Sequence, residues 1–161
     1  MEKYQTFGRR VGAGILDSII ILPVNWGVSI LLTVISPTST MLVWAVPGFI
    51  SALYFILMHY YRGQTLGKMV AGVKVLDDSE TPINFGQSIV RSLPQLFIPM
   101  FAVSFSTADQ SAADTIAFLA GLIYVLTSLF SIVNVIVCLA NDKRRALHDF
   151  IAGTIVVRTD V

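Results

Sequence analysis

Arg10 and Asp17 are the first residues in this chain whose types and spacing could do chemistry. They stand seven positions apart in the stretch GRRVGAGILDSIIILP, residues 8–23, which on an α-helix sets them on nearly one face, about 10.5 Å apart along the axis. An arginine at the start of an apolar run can snorkel to an interface. An aspartate further in cannot, and near the middle of a membrane helix it costs about 2.5–3.5 kcal/mol on insertion scales. It must therefore face a partner, a bundle interior or water, and an acid so placed is a candidate for holding and releasing a proton. The alternative is a structural salt bridge or hydrogen bond, with Arg10 or another base reaching down to it.

A second polar set lies near the other end of the chain. Thr127, Ser131, Asn134, Cys138 and Asn141 recur at heptad-like intervals, which puts them on one helical seam. They could line a hydrated path or hydrogen-bond across to Asp17, and small polar residues of this kind are also ordinary glue between membrane helices. In PVNWG (23–27), Asn25 sits between a helix breaker and a glycine, a combination that could free backbone carbonyls for a cation or simply kink the helix. Gly12, Ala13 and Gly14 would let a second backbone approach. Asp17, Asn25, Thr127, Ser131, Asn134 and Asn141 together form a candidate ion or proton path. His59 and His148 fall at expected membrane boundaries, and the single cysteine, Cys138, sits in an apolar helix. No metal-ligand cluster and no nucleophile with its base is evident, so neither an enzyme nor a cofactor is expected.

The elements that must position these residues follow from composition. Of 161 residues, 55% are hydrophobic and 13% charged, and the mean hydropathy is +0.74, which marks a membrane protein. Ser18 to Tyr61 is a run without Lys, Arg, Asp or Glu, as is Thr115 to Asn141. Four helices are expected, at about 11–35, 41–61, 87–106 and 115–140, the third interrupted by Pro94 and Pro99. After the second and fourth helices come short amphipathic, β-like segments, including LGKMVAGVKVLDD at 66–78. The fold class is thus an all-α membrane protein forming one domain over residues 1–161.

All 11 Lys and Arg residues fall near the N-terminus, in the segment from the end of the second helix to the start of the third, or after the fourth. The positive-inside rule then places both termini and the middle segment in the cytoplasm, for a multi-pass protein of the cell (inner) membrane. This topology also accounts for the basic residues without nucleic acid, for which no stacking motif is present. A shift of 81 residues lays Arg10 on Arg91, LGKMVAGVKVL (66–76) over LHDFIAGTIVV (147–157), and Lys68 on Asp149. A parallel repeat with halves 1–80 and 81–161 would explain this, as would chance similarity among apolar residues. Under the repeat, GVKVL and GTIVV could pair as short strands, and Lys68 and Asp149 could form a cytoplasmic charge pair. Otherwise the two are independent solvated charges near lipid headgroups.

RRVGAGILD, GQTLGKMVAGVKVLD and the closing DKRRALHDFIAGTIVVRTD resemble the motifs of the RDD family of small membrane proteins, named for one arginine and two aspartates. The resemblance covers essentially the whole chain and places the family residues on Arg10, Asp17 and Asp149. It implies little about activity: such proteins are suspected of transporting unidentified ligands, one is described as a sodium/proton antiporter, and others are implicated in assembling or regulating membrane complexes. The expectation drawn from residues and resemblance together is a small-ion transporter exchanging a monovalent cation for a proton at an intramembrane carboxylate. Four helices leave little room for alternating access, so a homo-oligomer is expected. The alternative is a non-catalytic scaffold or regulator that binds another membrane protein.

Overall fold

The computed structural model describes residues 2–36, 38, 40–93 and 113–160. Three long helices dominate them: α1 (Phe7–Ile35), α2 (Thr40–Arg62) and α5 (Ala113–Ala140). Their 29, 23 and 28 residues make rods of roughly 43, 34 and 42 Å, each longer than a hydrocarbon core of about 30 Å. Among the described residues, α1 with the short turn before it satisfies the length and apolarity needed to cross a membrane. Its outer face carries Ile15, Ile19, Leu22, Trp26 and Val34 uncovered, a surface that in water would be an aggregation site and in lipid is ordinary. The third expected span begins as helix α4 at 85 and is described to 93; Pro94, Pro99 and the rest of it lie outside the described residues.

α1 packs along α2 and stays helical through Pro23, as α2 does through Pro47. Asn25 does not open the helix to a cation. Its amide donates to Ser51 Oγ at 2.8 Å and its carbonyl accepts from the same hydroxyl at 3.2 Å, so this residue ties α1 to α2.

Two short segments close the structure. Helix α3 (Leu66–Val70) runs into strand β1 (Val73–Asp77), and helix α6 (Leu147–Ile151) runs into strand β2 (Thr154–Arg158). The strands pair antiparallel, as expected for GVKVL and GTIVV, with Val75 opposite Val156 and Val73 opposite Arg158. Alternating positions of β1 and all but the last of β2 are buried, and Val73, Val75, Ile83 and Val156 form a small apolar core. Both helices and both strands stand 81 positions apart at each end. The register is self-consistent under that offset: the five pairs are symmetric about Val75 and Val156, as a local two-fold axis through that pair requires. The backbone repeats likewise. Gly72 and Gly153 take φ of 65° and 63°, Thr159 N donates to Gly72 O, and Asp78 N donates to Gly153 O.

Gly72 and Gly153 make the turn from helix to strand in the left-handed region, which costs an L side chain about 1–2 kcal/mol. Gly72→Ala and Gly153→Ala should each lose about that much stability, read as falls of similar size in the thermal midpoint of the detergent-solubilised protein.

Candidate functional site

Asp17 is buried, and three donors converge on it. Tyr54 Oη and the Gly67 N–H donate to Oδ1 at 2.9 and 2.8 Å, and Thr65 Oγ1 donates to Oδ2 at 2.5 Å. Tyr54 Oη also accepts from Leu66 N at 3.0 Å. The carboxylate therefore grips the first turn of α3 by its open N–H groups, which a helix start cannot satisfy internally. Gly67 must be small for this: a Cβ there would lie 2.2 Å from Ala13 O and 2.9 Å from Asp17 Cγ. Gly12 and Gly14 have open space where a side chain would stand, so the close backbone approach expected of the GAG stretch is made at Ala13, with the glycine supplied by α3.

Arg10 does not reach Asp17. Its Nε donates to Thr6 Oγ1 at 3.1 Å and its Nη1 is paired with Asp149 Oδ2. Arg91 Nη1 is paired with the other oxygen, Oδ1, and donates to Thr154 Oγ1 at 2.8 Å. Asp149 further accepts from Ala146 N at 3.0 Å and has no solvent exposure. Rather than a solvated charge, it is the centre of a buried triad joining α1, α4 and α6. Burial alone would push the Asp149 carboxyl up, but the Arg91 and Arg10 guanidiniums override it and hold the group well below the usual carboxylate range. Neighbouring Arg9 reaches past the triad to Ala71 O at 3.1 Å and Asp160 Oδ2 at 2.8 Å.

Lys68 is not paired with Asp149 either. Its ammonium turns inward to His59 Nε2 at 2.5 Å. The other ring nitrogen of His59 lies 2.7 Å from Phe55 O; a carbonyl only accepts, so Nδ1 carries the hydrogen and Nε2 receives the lysine. Burial, with Arg91 and Arg10 adding like charge, lowers the Lys68 pKa well below its ordinary value.

The polar seam of α5 is divided between tasks. Asn134 Oδ1 accepts from the backbone N–H and ring Nδ1 of His148 at 3.3 and 2.9 Å. Cys138 Sγ contacts Arg144 O at 3.0 Å, and Asn141 bridges to Arg145, its Nδ2 reaching the carbonyl at 2.7 Å and its Oδ1 accepting the N–H at 2.8 Å. These residues fasten the turn from α5 to α6. Ser131 is exposed, and the Thr127 side chain lies outside the described residues. Of the residues expected on an ion path, Asp17 is bonded to Tyr54, Thr65 and Gly67, Asn25 to Ser51, and Asn134 to His148.

What does assemble is a chamber of about 520 Å³ between α1 and α5, walled by Asp17, Ser18, Arg10, Lys68, His59 and Arg91, with His148 and Asn134 on the α5 side and Phe7, Val11, Phe55 and Val135 as apolar wall. Of the residues expected on the ion path, Asp17 and Asn134 line it, and the hydrogen bonds of Asp17 go to Tyr54, Thr65 and Gly67 rather than to the seam. Sequence reasoning missed Tyr54, Thr65 and Gly67 as holders of Asp17, and it read Arg91 only as a topology marker although the 81-residue shift already laid it on Arg10.

The RDD family model matches residues 4–153. The uncharacterized protein YckC of Bacillus subtilis (strain 168) is 28% identical over 156 residues, covering 93% of this chain and 82% of its own. No solved structure matches.

Removing the charge of Asp149 leaves two buried guanidiniums without their carboxylate, so Asp149→Asn should cost about 3–5 kcal/mol, measured by denaturant or thermal unfolding in detergent. A pH effect comes from His148. Burial first, then Arg91, lowers its pKa to about 3 from 6.5, with Asp149 opposing. Between those values the unfolded chain binds a proton that the folded one does not, so stability falls as pH drops from 6.5 toward 3. Unfolding midpoints taken from pH 7 to pH 4 should show that slope in the wild type and a shallower one in His148→Gln.

Proposed function

Because the chain belongs to the RDD family, whose members are small membrane proteins, we propose that it is a proton-linked transporter of small ions, with the chamber between α1 and α5 as its ion-handling site. The observation that carries this reading is the company kept in that chamber: Lys68 on His59, with Arg10, Arg91 and His148 around them. A lysine whose proton is weakened by burial and by two guanidiniums can give it up when a passing ion changes the local charge. In this reading α1, α2, α5 and the helix begun by α4 are the four spans, both termini and the paired module lie in the cytoplasm, and copies associate in the bilayer. Halves 1–80 and 81–161 form a parallel repeat, supported by the self-symmetric register of β1 and β2.

Exchange of a monovalent cation at Asp17 is the form the sequence suggested, and it requires a carboxylate free to take a cation. Three donors already occupy that group, so Lys68 is the better proton carrier. A second reading, a scaffold or regulator binding another membrane protein, is favoured by one observation: Asp17 and Asp149 are both spent on holding the paired module in place.

Proton movement in proteoliposomes distinguishes them, with pulses of sodium, potassium and lithium as chloride salts, and of phosphate and sulfate at constant sodium. The transporter reading expects ion-driven proton flux in the wild type, reduced about ten-fold or more in a folded Lys68→Gln protein. Silence to every pulse in a folded, correctly inserted wild type would sink it and leave the scaffold.

A further inference from the structure

The local two-fold axis relates more than backbone. Arg10 and Arg91 occupy equivalent positions 81 residues apart, and both guanidiniums lie on Asp149. The residue equivalent to Asp149 is Lys68. A fully symmetric arrangement would close the two arginines between two acids, one from α6 and one from α3. This chain provides the first and puts an ammonium in the place of the second.

Three observations locate the consequence. Two guanidiniums share one carboxylate, which leaves that group of three with an excess positive charge. Arg10 Nη2 is buried with no hydrogen-bond partner among the described residues, a donor whose desolvation none of them offsets. Lys68 and both arginines line the chamber, with His59 and His148 beside them. Asp17 also faces it, but its oxygens are engaged by Tyr54, Thr65 and Gly67 and are not aimed at the arginines.

We propose that the chamber seats a phosphate-like oxyanion on the Lys68 side of the arginine pair, in the position a second aspartate would fill. Such a group accepts from several donors at once, as guanidinium and ammonium groups require. It would take the free Arg10 Nη2 and the Lys68 ammonium, balancing the triad's excess charge. The volume exceeds that of a lone phosphate, and Phe7, Val11, Phe55 and Val135 form an apolar wall beside the basic groups. A free oxyanion and the phosphate of an anionic lipid headgroup both present this chemistry. The seat deepens the transport reading by naming the class of ion, and it rests on the chamber alone: binding without flux would retain it while removing transport.

The test uses the full-length protein in detergent and in nanodiscs. In detergent, inorganic phosphate and sulfate should raise the thermal midpoint saturably, while chloride at matched ionic strength does not. In nanodiscs, phosphatidylglycerol should raise it over phosphatidylcholine if the headgroup is the source, and added phosphate should then have no further effect. Lys68→Gln removes one charge-assisted donor and should weaken the response roughly ten-fold or more. Lys68→Asp supplies the missing carboxylate from the chain and should be unresponsive to either source. Absence of any response in the wild type, or an unchanged response in Lys68→Gln, overturns the proposal.

Discussion

Everything in this fold depends on one carboxylate being shared by two arginines. Asp149 comes from α6 and its two guanidiniums from α1 and α4, 139 and 58 positions away in sequence, and their meeting holds the α6–β2 arm of the paired module against the ends of the long helices. Burying three charges is expensive, and a buried ion group repays its desolvation only where geometry is good and the remaining polar atoms are bonded. Here Thr154, Thr6 and the Ala146 N–H supply bonds of that kind, and Arg10 Nη2 is left without one among the described residues. Between helices that are apolar on the outside there is little hydrophobic drive to specify one arrangement. A polar group with only one set of partners specifies it instead.

Asp17 is the second fastening, and it differs in kind. Among the described residues it carries no ion pair; neutral donors from Tyr54, Thr65 and Gly67 meet it. One acid thus binds the C-terminal segment through charge, the other binds the middle segment through hydrogen bonds to a helix start. The two aspartates do not share a donor and do not form a pair, and the space between their two fastenings is the chamber.

Much of this was legible in the residues. The lengths of the apolar runs foretold α1, α2 and α5, and the 81-residue shift offered GVKVL and GTIVV as strands that could pair if the repeat held, which they do. Arg10, Asp17 and Asp149 stand out in the sequence, and in the structure each is engaged by hydrogen bonds or ion pairs. Their partners do not stand out in the sequence. Proximity along one helix suggested Arg10 for Asp17, since a seven-residue spacing is visible in sequence, whereas the real partners of each are contributed by other elements. Thr65, Gly67 and Tyr54 carry no individual signal in the sequence; only the docking of α3 on α1 gives them a role. Asn141 and Cys138 shared a stripe with Asn134 by period, but their duties diverge where the helix ends, which periodicity does not express.

The antiparallel pairing of β1 with β2 has a further consequence for how the chain is made. β1 belongs to the first half and is synthesised some eighty residues before its partner, so throughout that interval its ladder edge is open. Because neighbouring molecules carry identical strands, β2 of one molecule would find in a neighbouring β1 the same register it finds in its own. Assembly is then a contest between closing the chain on itself and exchanging strands with a neighbour. Arg10 is made before β1, and its pair with Asp149, 139 residues later, closes only when β2 has arrived beside it.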